Sequence, residues 1–261
     1  MPPQEFEPPQ ALRDIIKCVW YTRQDFGELP AGFEVLPDGY AELIFHFGSL
    51  SHGSDQGGLE PLPSPLLIGL LHQPVRFYAK NRLDILGIRC FPWTVFDLLG
   101  LPPQQDGVRV IEHPIGGLQS ALEQCVNAGR IEEAVAQVAQ YFRHVPSRIA
   151  GDRLLTQAGV AMRESAGTLP VNQVATAAHA TVRTLERKFK QAAGHTVKDV
   201  SGLMRFEQVR NHIWLHPDVN LAGLAHELGY ADQAHLSREF KRYSGTTPAA
   251  FARKAKKGNR P

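Results

Sequence analysis

Hydrophobic and polar positions change rhythm near Ile115. Upstream the rhythm has a period of two. The run Glu42-Leu43-Ile44-Phe45-His46-Phe47 sets Leu43, Phe45 and Phe47 on one face, as a half-buried strand requires. Residues 65–71, 75–78 and 83–90 are further strand candidates. Turn signals separate them at Leu36-Pro37-Asp38-Gly39, Gly48-Ser49, Gly57-Gly58 and Pro61-Leu62-Pro63. Short strands between turns predict a sandwich or barrel over roughly residues 11–115. Residues 94–99 read as a short helix closed by Gly100.

Downstream the spacing becomes helical. Residues 118–128 and 131–142 form a predicted hairpin broken at Gly129. Leu118, Leu122, Cys125 and Val126 share one face, and Val135, Val138, Ala139 and Phe142 share the other. This pair is expected to be a connector and offers a dimer contact. Pro146-Ser147 ends it. Seven helices then follow, at 154–163, 171–178, 181–191, 197–215, 221–228, 233–243 and 248–254. Gly167, Pro170, Pro217 and Gly229 mark stops, and Thr181, Asn220 and Asp232 are predicted N-caps.

Within these helices one pattern occurs twice. LERKFKQAAGHTV starts at Leu185, and LSREFKRYSGTTP starts 51 positions later at Leu236. Both carry Leu, Arg, Phe-Lys, Gly and Thr at the same spacing. Val174-Ala175 answers to Leu224-Ala225 at a separation of 50, so the second copy has one extra residue between its helices. On a wheel, Val182, Leu185, Phe189 and Ala192 form the expected buried stripe of the first copy. Arg183, Thr184, Arg187 and Gln191 lie opposite. In the second copy Leu236, Phe240 and Tyr243 point inward, whereas Ala234, Arg238 and Lys241 point away, flanked by His235 and Arg242. A slender helix with long donors outside suits a major groove, where Arg bonds guanine O6 and N7 together and Gln does the same for adenine. Lys190, Lys241 and Arg242 suit phosphates. The predicted helix at 197–215 is ~28 Å long at 1.5 Å per residue, close to the ~34 Å between successive major-groove faces.

Charge sharpens this division. Of 261 residues with a net charge of +2, residues 152–261 hold 17 Lys and Arg against 9 Asp and Glu. The remainder of the chain is acidic. A basic C-terminal module facing nucleic acid is the reading this favours. No apolar run approaches the ~20 residues of a membrane span, and the first ten residues lack a signal peptide's pattern. A cytoplasmic protein with an extended, Pro-stiffened N-terminal arm is therefore expected. Cys18, Cys90 and Cys125 are scattered, without a CxxC pair, and read as inert reduced thiols.

Two resemblances bear on function. The segment GYADQAHLSREFKRYSGTTPAAF closely resembles the C-terminal signature of AraC/XylS-type transcription regulators. The stretch 174–200, containing LERKFKQAAG, resembles the first helix-turn-helix of the same domain. The likeness covers residues 152–254 and implies two helix-turn-helix units joined by a linker helix on promoter DNA. By matching position it places base readers at Arg183 and Arg187, and at Gln233, His235 and Arg238. Leu236 and Ala234 depart from the family's usual aromatic and polar residues. Residues 8–113, with LPAGFEVLPDGYAELIFHFG and LLIGLLHQPVRFY, resemble the N-terminal domain of an uncharacterised subgroup of these regulators. That implies a cupin-like, ligand-sensing β domain.

The expectation is thus an α+β two-domain chain. Residues 1–115 would form a cupin-like sensor, 116–150 a helical connector, and 151–257 an all-α module with two helix-turn-helix units. The resemblance further implies an unidentified small-molecule effector, RNA polymerase as a partner, and activation rather than repression; a homodimer is expected. No catalytic residue, cofactor or metal is assigned. His-x-His is absent, and His46, His52 and His72 are loosely spaced. Asp38 and Glu42 could pair as carboxylates, but Asp38 sits in a Pro-Asp-Gly turn. G-x-S-x-G and Walker A motifs are absent as well. Two rival readings are a cupin-type enzyme fused to a DNA-binding module and a nonspecific DNA-coating protein. The basic tail from Arg253 would add phosphate attraction or merely solubility.

Overall fold

The computed structural model describes residues 3–54, 58–103, 107–145 and 152–257. Gly57, Pro146-Ser147 and the tail beyond Lys257 lie outside the described residues. The chain divides into two compact units. One comprises Met1–Glu34, Tyr40–Gly69 and Arg76–Gly151, and the other Val35–Gly39, Leu70–Val75 and Asp152–Pro261.

The first unit is built on one eight-stranded sheet. Its strands are β1 (Gln4–Phe6), β2 (Ile16–Asp25), β3 (Ala31–Val35), β4 (Ala41–Gly53), β5 (Leu59–Pro61), β6 (Leu66–Ile68), β7 (Val75–Cys90) and β8 (Val108–Val110). The order is β1-β2-β7-β4-β6-β8, with β3 added to β7 and β5 to β4, so the sheet's path is open rather than closed into a barrel. The long strands β2, β7 and β4 pair antiparallel at its centre. The N-terminal arm is not merely extended, since β1 pairs with β2 through Gln4–Tyr21 and Phe6–Val19.

The single-face alternation expected for β4 understates its burial. Every residue from Ala41 to Phe47 is buried. Leu43, Phe45 and Phe47 join Val19, Leu86 and Ile88 in one core, while Glu42, Ile44 and His46 are covered on the opposite face. A strand covered on both sides loses the period-two signal. β2 is buried only at Ile16, Cys18 and Val19 and exposed at Lys17 and from Arg23 to Asp25, so it carries no regular alternation by which to read it as a strand. The predicted strands at 75–78 and 83–90 are one strand, β7. The polar stretch between them holds a bulge, where register shifts from Phe47–Asp84 to Ser49–Lys80 and Asn81 takes φ +56°.

A short helix, α1 (Val95–Leu98), begins after Thr94. The hairpin is formed by α2 (Gln119–Asn127) and α3 (Ile131–Arg143). Its apolar faces, expected to serve a connector or a dimer contact, are buried in the sheet's core through Leu122, Cys125, Val126, Val138 and Phe142. All three cysteines are free and buried. Burial pushes the Cys18 thiol up to about 11, which keeps it protonated and unreactive.

Glu42 is engaged by donors of its own sheet. Glu42 accepts hydrogen bonds from Trp20 Nε1 at 3.2 Å and from Arg89 Nε at 2.7 Å. Among the described residues, Asp84 is the sheet's other buried carboxylate. It accepts from Arg23 Nε at 2.7 Å, from Arg82 Nε at 2.6 Å, and from the Tyr21 hydroxyl. Burial alone would raise its pKa. The Tyr21, Arg23 and Arg82 donors overcome that and hold it below the usual carboxylate range. A depressed native pKa means stability that is present above the unfolded value and lost as pH falls through the native one. Acidification from pH 5 to pH 2 is therefore expected to destabilise the wild-type sheet more than the Asp84→Asn variant, measured as the shift in urea midpoint. Equal shifts would contradict this.

The second unit contains seven helices among its described residues: α4 (Arg153–Glu164), α5 (Val171–Ala177), α6 (Val182–Ala193), α7 (Val197–Leu215), α8 (Leu221–Glu227), α9 (Gln233–Ser244) and α10 (Pro248–Lys256). All seven match the helices predicted from spacing to within two residues at each end. No helix among the described residues is long and apolar enough to cross a membrane.

Candidate nucleic-acid interface

The repeated sequence pattern is a repeated helix with the same start, stripe and stop. Thr181 caps α6 by accepting from Thr184 N, and Asp232 caps α9 by accepting from His235 N, as predicted. Leu185 and Phe189 in α6 are fully buried, as are Leu236 and Phe240 in α9. The shared glycines, Gly194 and Gly245, take φ +74° and +71°. Their N–H groups bond the carbonyls of Lys190 and Lys241 and close each helix. The shared threonines, Thr196 and Thr247, cap the next helices, α7 and α10. Gly-x-Thr is thus a stop followed by a start. It holds α6 and α9 at fixed lengths.

The turn before each of these helices contains a left-handed residue, His179 at φ +50° and Gly229 at φ +70°. The extra residue of the second copy lies in this turn, which runs from Leu228 to Asp232 rather than from Ala178 to Thr181. A side chain at such a φ costs ~1–2 kcal/mol, whereas glycine adopts it freely. Gly229→Ala is expected to destabilise the unit by ~1 kcal/mol, and His179→Gly to be neutral or stabilising by up to ~1 kcal/mol. Thermal unfolding midpoints test the opposite signs.

The predicted base readers are on the surface. Arg183, Arg187 and Gln191 of α6 are exposed, and Thr184 is half-buried. Arg187 Nη1 lies 3.4 Å from Gln191 Oε1. With Lys190, Glu186 and Thr196 they line a shallow groove of about 340 Å³. On α9, Gln233, Ala234 and Arg238 are exposed, and so is Lys241. His235 is half-buried, its ring set edge-on to Tyr230 at 5.3 Å. Arg242 lies over the Tyr243 ring at 4.4 Å and donates to its hydroxyl, an engagement that spacing did not reveal.

The expected buried stripe of α6 needs one correction. Val182 is 42% exposed, and Ala193 rather than Ala192 is fully covered. Side chains tilt toward a helix's N-terminus, so the first residue projects past the surface its own helix packs on.

Each of the two repeated helices is also fixed from behind by a charged residue at the same place in the repeat. In α6 this is Lys188, which pairs with Asp152, itself the N-cap of α4. In α9 it is Glu239, whose Oε1 lies 3.5 Å from Arg205 Nη2 of α7. Arg205 also donates to Gly167 O at 2.9 Å and lies 5.3 Å above the Tyr230 ring. Burial, reinforced by Glu239, drives the Tyr230 phenol pKa upward. An aromatic cluster fills the space beneath, with Phe206–Phe240 at 5.2 Å, Phe206–Tyr243 at 5.2 Å and Phe240–Phe251 at 5.4 Å between ring centres.

Among the described residues no group of three His, Cys, Asp or Glu side chains is placed to hold a metal ion. His46 Nε2 bonds Leu62 O at 3.0 Å, and burial lowers its pKa, so it sits neutral in the sheet.

Residues 174–254 match a helix-turn-helix domain family, and residues 4–111 match a domain of unknown function, DUF6597. The uncharacterised transcriptional regulatory protein YesN of Bacillus subtilis is 32% identical over 71 residues, which is 27% of this chain and 19% of that protein. The chain therefore spans about a fifth of that relative. Among solved structures, ToxT of Vibrio cholerae bound to (E)-4-(8-methylnaphthalen-1-yl)but-3-enoic acid is 13% identical with a TM-score of 0.48, covering 91% of this chain and 98% of that one. The DNA-binding domain of AdpA, in complex with a target DNA, is 21% identical with a TM-score of 0.37, covering 42% of this chain and all of that one. The chain thus carries an N-terminal stretch that matches DUF6597 and a C-terminal stretch that matches a helix-turn-helix domain family.

Proposed function

We propose that this chain is a cytoplasmic transcription regulator that binds a specific promoter duplex through α6 and α9. Arg183, Arg187 and Gln191 read bases in one major groove, and Gln233, His235 and Arg238 read the next. Thr184 supports the first set. Lys190 and Lys241 contact phosphates, and Arg242 joins them only if its guanidinium leaves the Tyr243 ring. One observation carries the reading: Arg187 and Arg238 occupy the same position on two identically capped helices, and both are exposed. A solvated amphipathic helix accounts for one such arginine more easily than for two in register.

The N-terminal domain, residues 1–115, is proposed to bind a small-molecule effector, with α2 and α3 completing its core. The effector would change which half-sites are engaged, as a homodimer or a monomer, and engagement would activate transcription through RNA polymerase. The chain performs no catalysis in this reading.

Selection of duplexes from a random pool by the full-length chain tests the proposal. Specific binding should exceed binding to competitor DNA by ~10³ or more. Equal binding to all sequences would leave only the nonspecific reading. Lys190→Ala is expected to weaken every duplex about equally and to reduce the slope of log affinity against log salt by ~1. A loss confined to the selected site would reassign Lys190 to base reading.

A further inference from the structure

Val182 is an apolar side chain left 42% exposed at the start of α6, next to exposed Arg183. Its direction is fixed. Thr181 caps the helix through Thr184 N, so the first turn is set, and a valine in a helix keeps essentially one side-chain rotamer. The second reading helix begins with the same two kinds of side chain in the opposite order. Gln233 and Ala234 occupy the repeat positions of Val182 and Arg183, and both are exposed. Each helix thus opens with one apolar group and one long hydrogen-bonding group, side by side.

A recognition helix meets base edges with its N-terminal residues. There the major groove presents an apolar feature, the thymine 5-methyl, alongside its donors and acceptors. We infer that Val182 is a specificity-determining residue that packs on a thymine 5-methyl next to the base bonded by Arg183. Ala234 makes the same contact next to the base bonded by Gln233, with the order reversed. The two half-sites are therefore unlike: a guanine-and-thymine step under α6 and an adenine-and-thymine step under α9. This inference rests on the DNA-binding reading above, and its test separates the two.

The full-length chain is bound to its selected duplex, and each thymine is replaced in turn by deoxyuridine, which removes only the methyl. At one thymine of the first half-site the wild type is expected to lose about fourfold in affinity, the effect of one buried methyl. Val182→Ala should weaken the thymine duplex by a similar factor and no longer distinguish thymine from uracil there, while keeping its preferences elsewhere. Val182→Thr, which retains one methyl, should keep part of the discrimination. If Val182→Ala shows the wild-type thymine-to-uracil ratio at every position, or if no thymine matters to the wild type, the inference is overturned with DNA reading intact. If no duplex is selected over competitor, the DNA reading itself fails and this inference with it.

Discussion

Arg187→Ala is expected to weaken binding to the selected duplex by roughly 1–3 kcal/mol, about 5- to 150-fold, and to relax preference at one base pair. The side chain is exposed on the face of α6 opposite Leu185 and Phe189. Its contact with Gln191 is long, at 3.4 Å. Exchanging that contact for a guanine's O6 and N7 therefore sacrifices little. The helix itself should survive, since alanine is the best helix former and Arg187 is exposed. Arg187→Lys is the informative companion. It keeps the charge but not the planar fork, so nonspecific affinity should persist while base preference is lost. Affinity measured against the selected duplex and against single-position variants gives both numbers. An unchanged preference profile in Arg187→Ala would show that this face of α6 does not read bases.

Arg205→Ala is expected to cost ~3 kcal/mol of stability in the C-terminal unit, because it strands Glu239 in a mostly buried place. The side chains of Arg205 and Glu239 are only 17% and 14% exposed. The pair is also imperfect, since Arg205 Nε and Glu239 Oε1 are buried without a hydrogen bond. Imperfect buried pairs are costly to break and cheap to replace. The double variant Arg205→Met with Glu239→Leu should therefore recover most of the loss. Hydrogen exchange in α9 of the full-length chain reads this locally. Arg205→Ala should accelerate exchange along α9, and the double variant should restore protection. Protection unchanged in Arg205→Ala would mean that α9 is held by its aromatic core alone.

The C-terminal unit is legible from sequence because each of its signals is local. Caps at Thr181, Asn220 and Asp232, and stops at Gly194, Gly229 and Gly245, lie within a few residues of what they define. The sheet is less legible because its centre is covered on both faces. Over Ala41 to Phe47 the alternation of Leu43, Phe45 and Phe47 marks a strand but gives no sign that its opposite face is covered too. The exposure of Arg183, Arg187 and Arg238 could be placed by a wheel. That of Val182 could not, because a wheel assumes a partner surface along the whole helix. The engagement of Arg242 with Tyr243 and of Arg205 with Glu239 depends on rotamers and on distant helices. In hindsight the repeat held a clue, since Lys188 and Glu239 carry opposite charges at one position and each pins its helix to an earlier one.

Central to the proposed function is that α6 and α9 would read two successive major grooves of one duplex. Guanine N7 methylation interference on the selected site tests that directly. Two clusters of interfering guanines are expected about one helical turn apart, ~10 base pairs, on one face of the DNA, with Arg187→Ala removing one guanine from the cluster under α6 and Arg238→Ala removing one from the other. A single cluster, or two clusters that both stay unchanged in these variants, would contradict it.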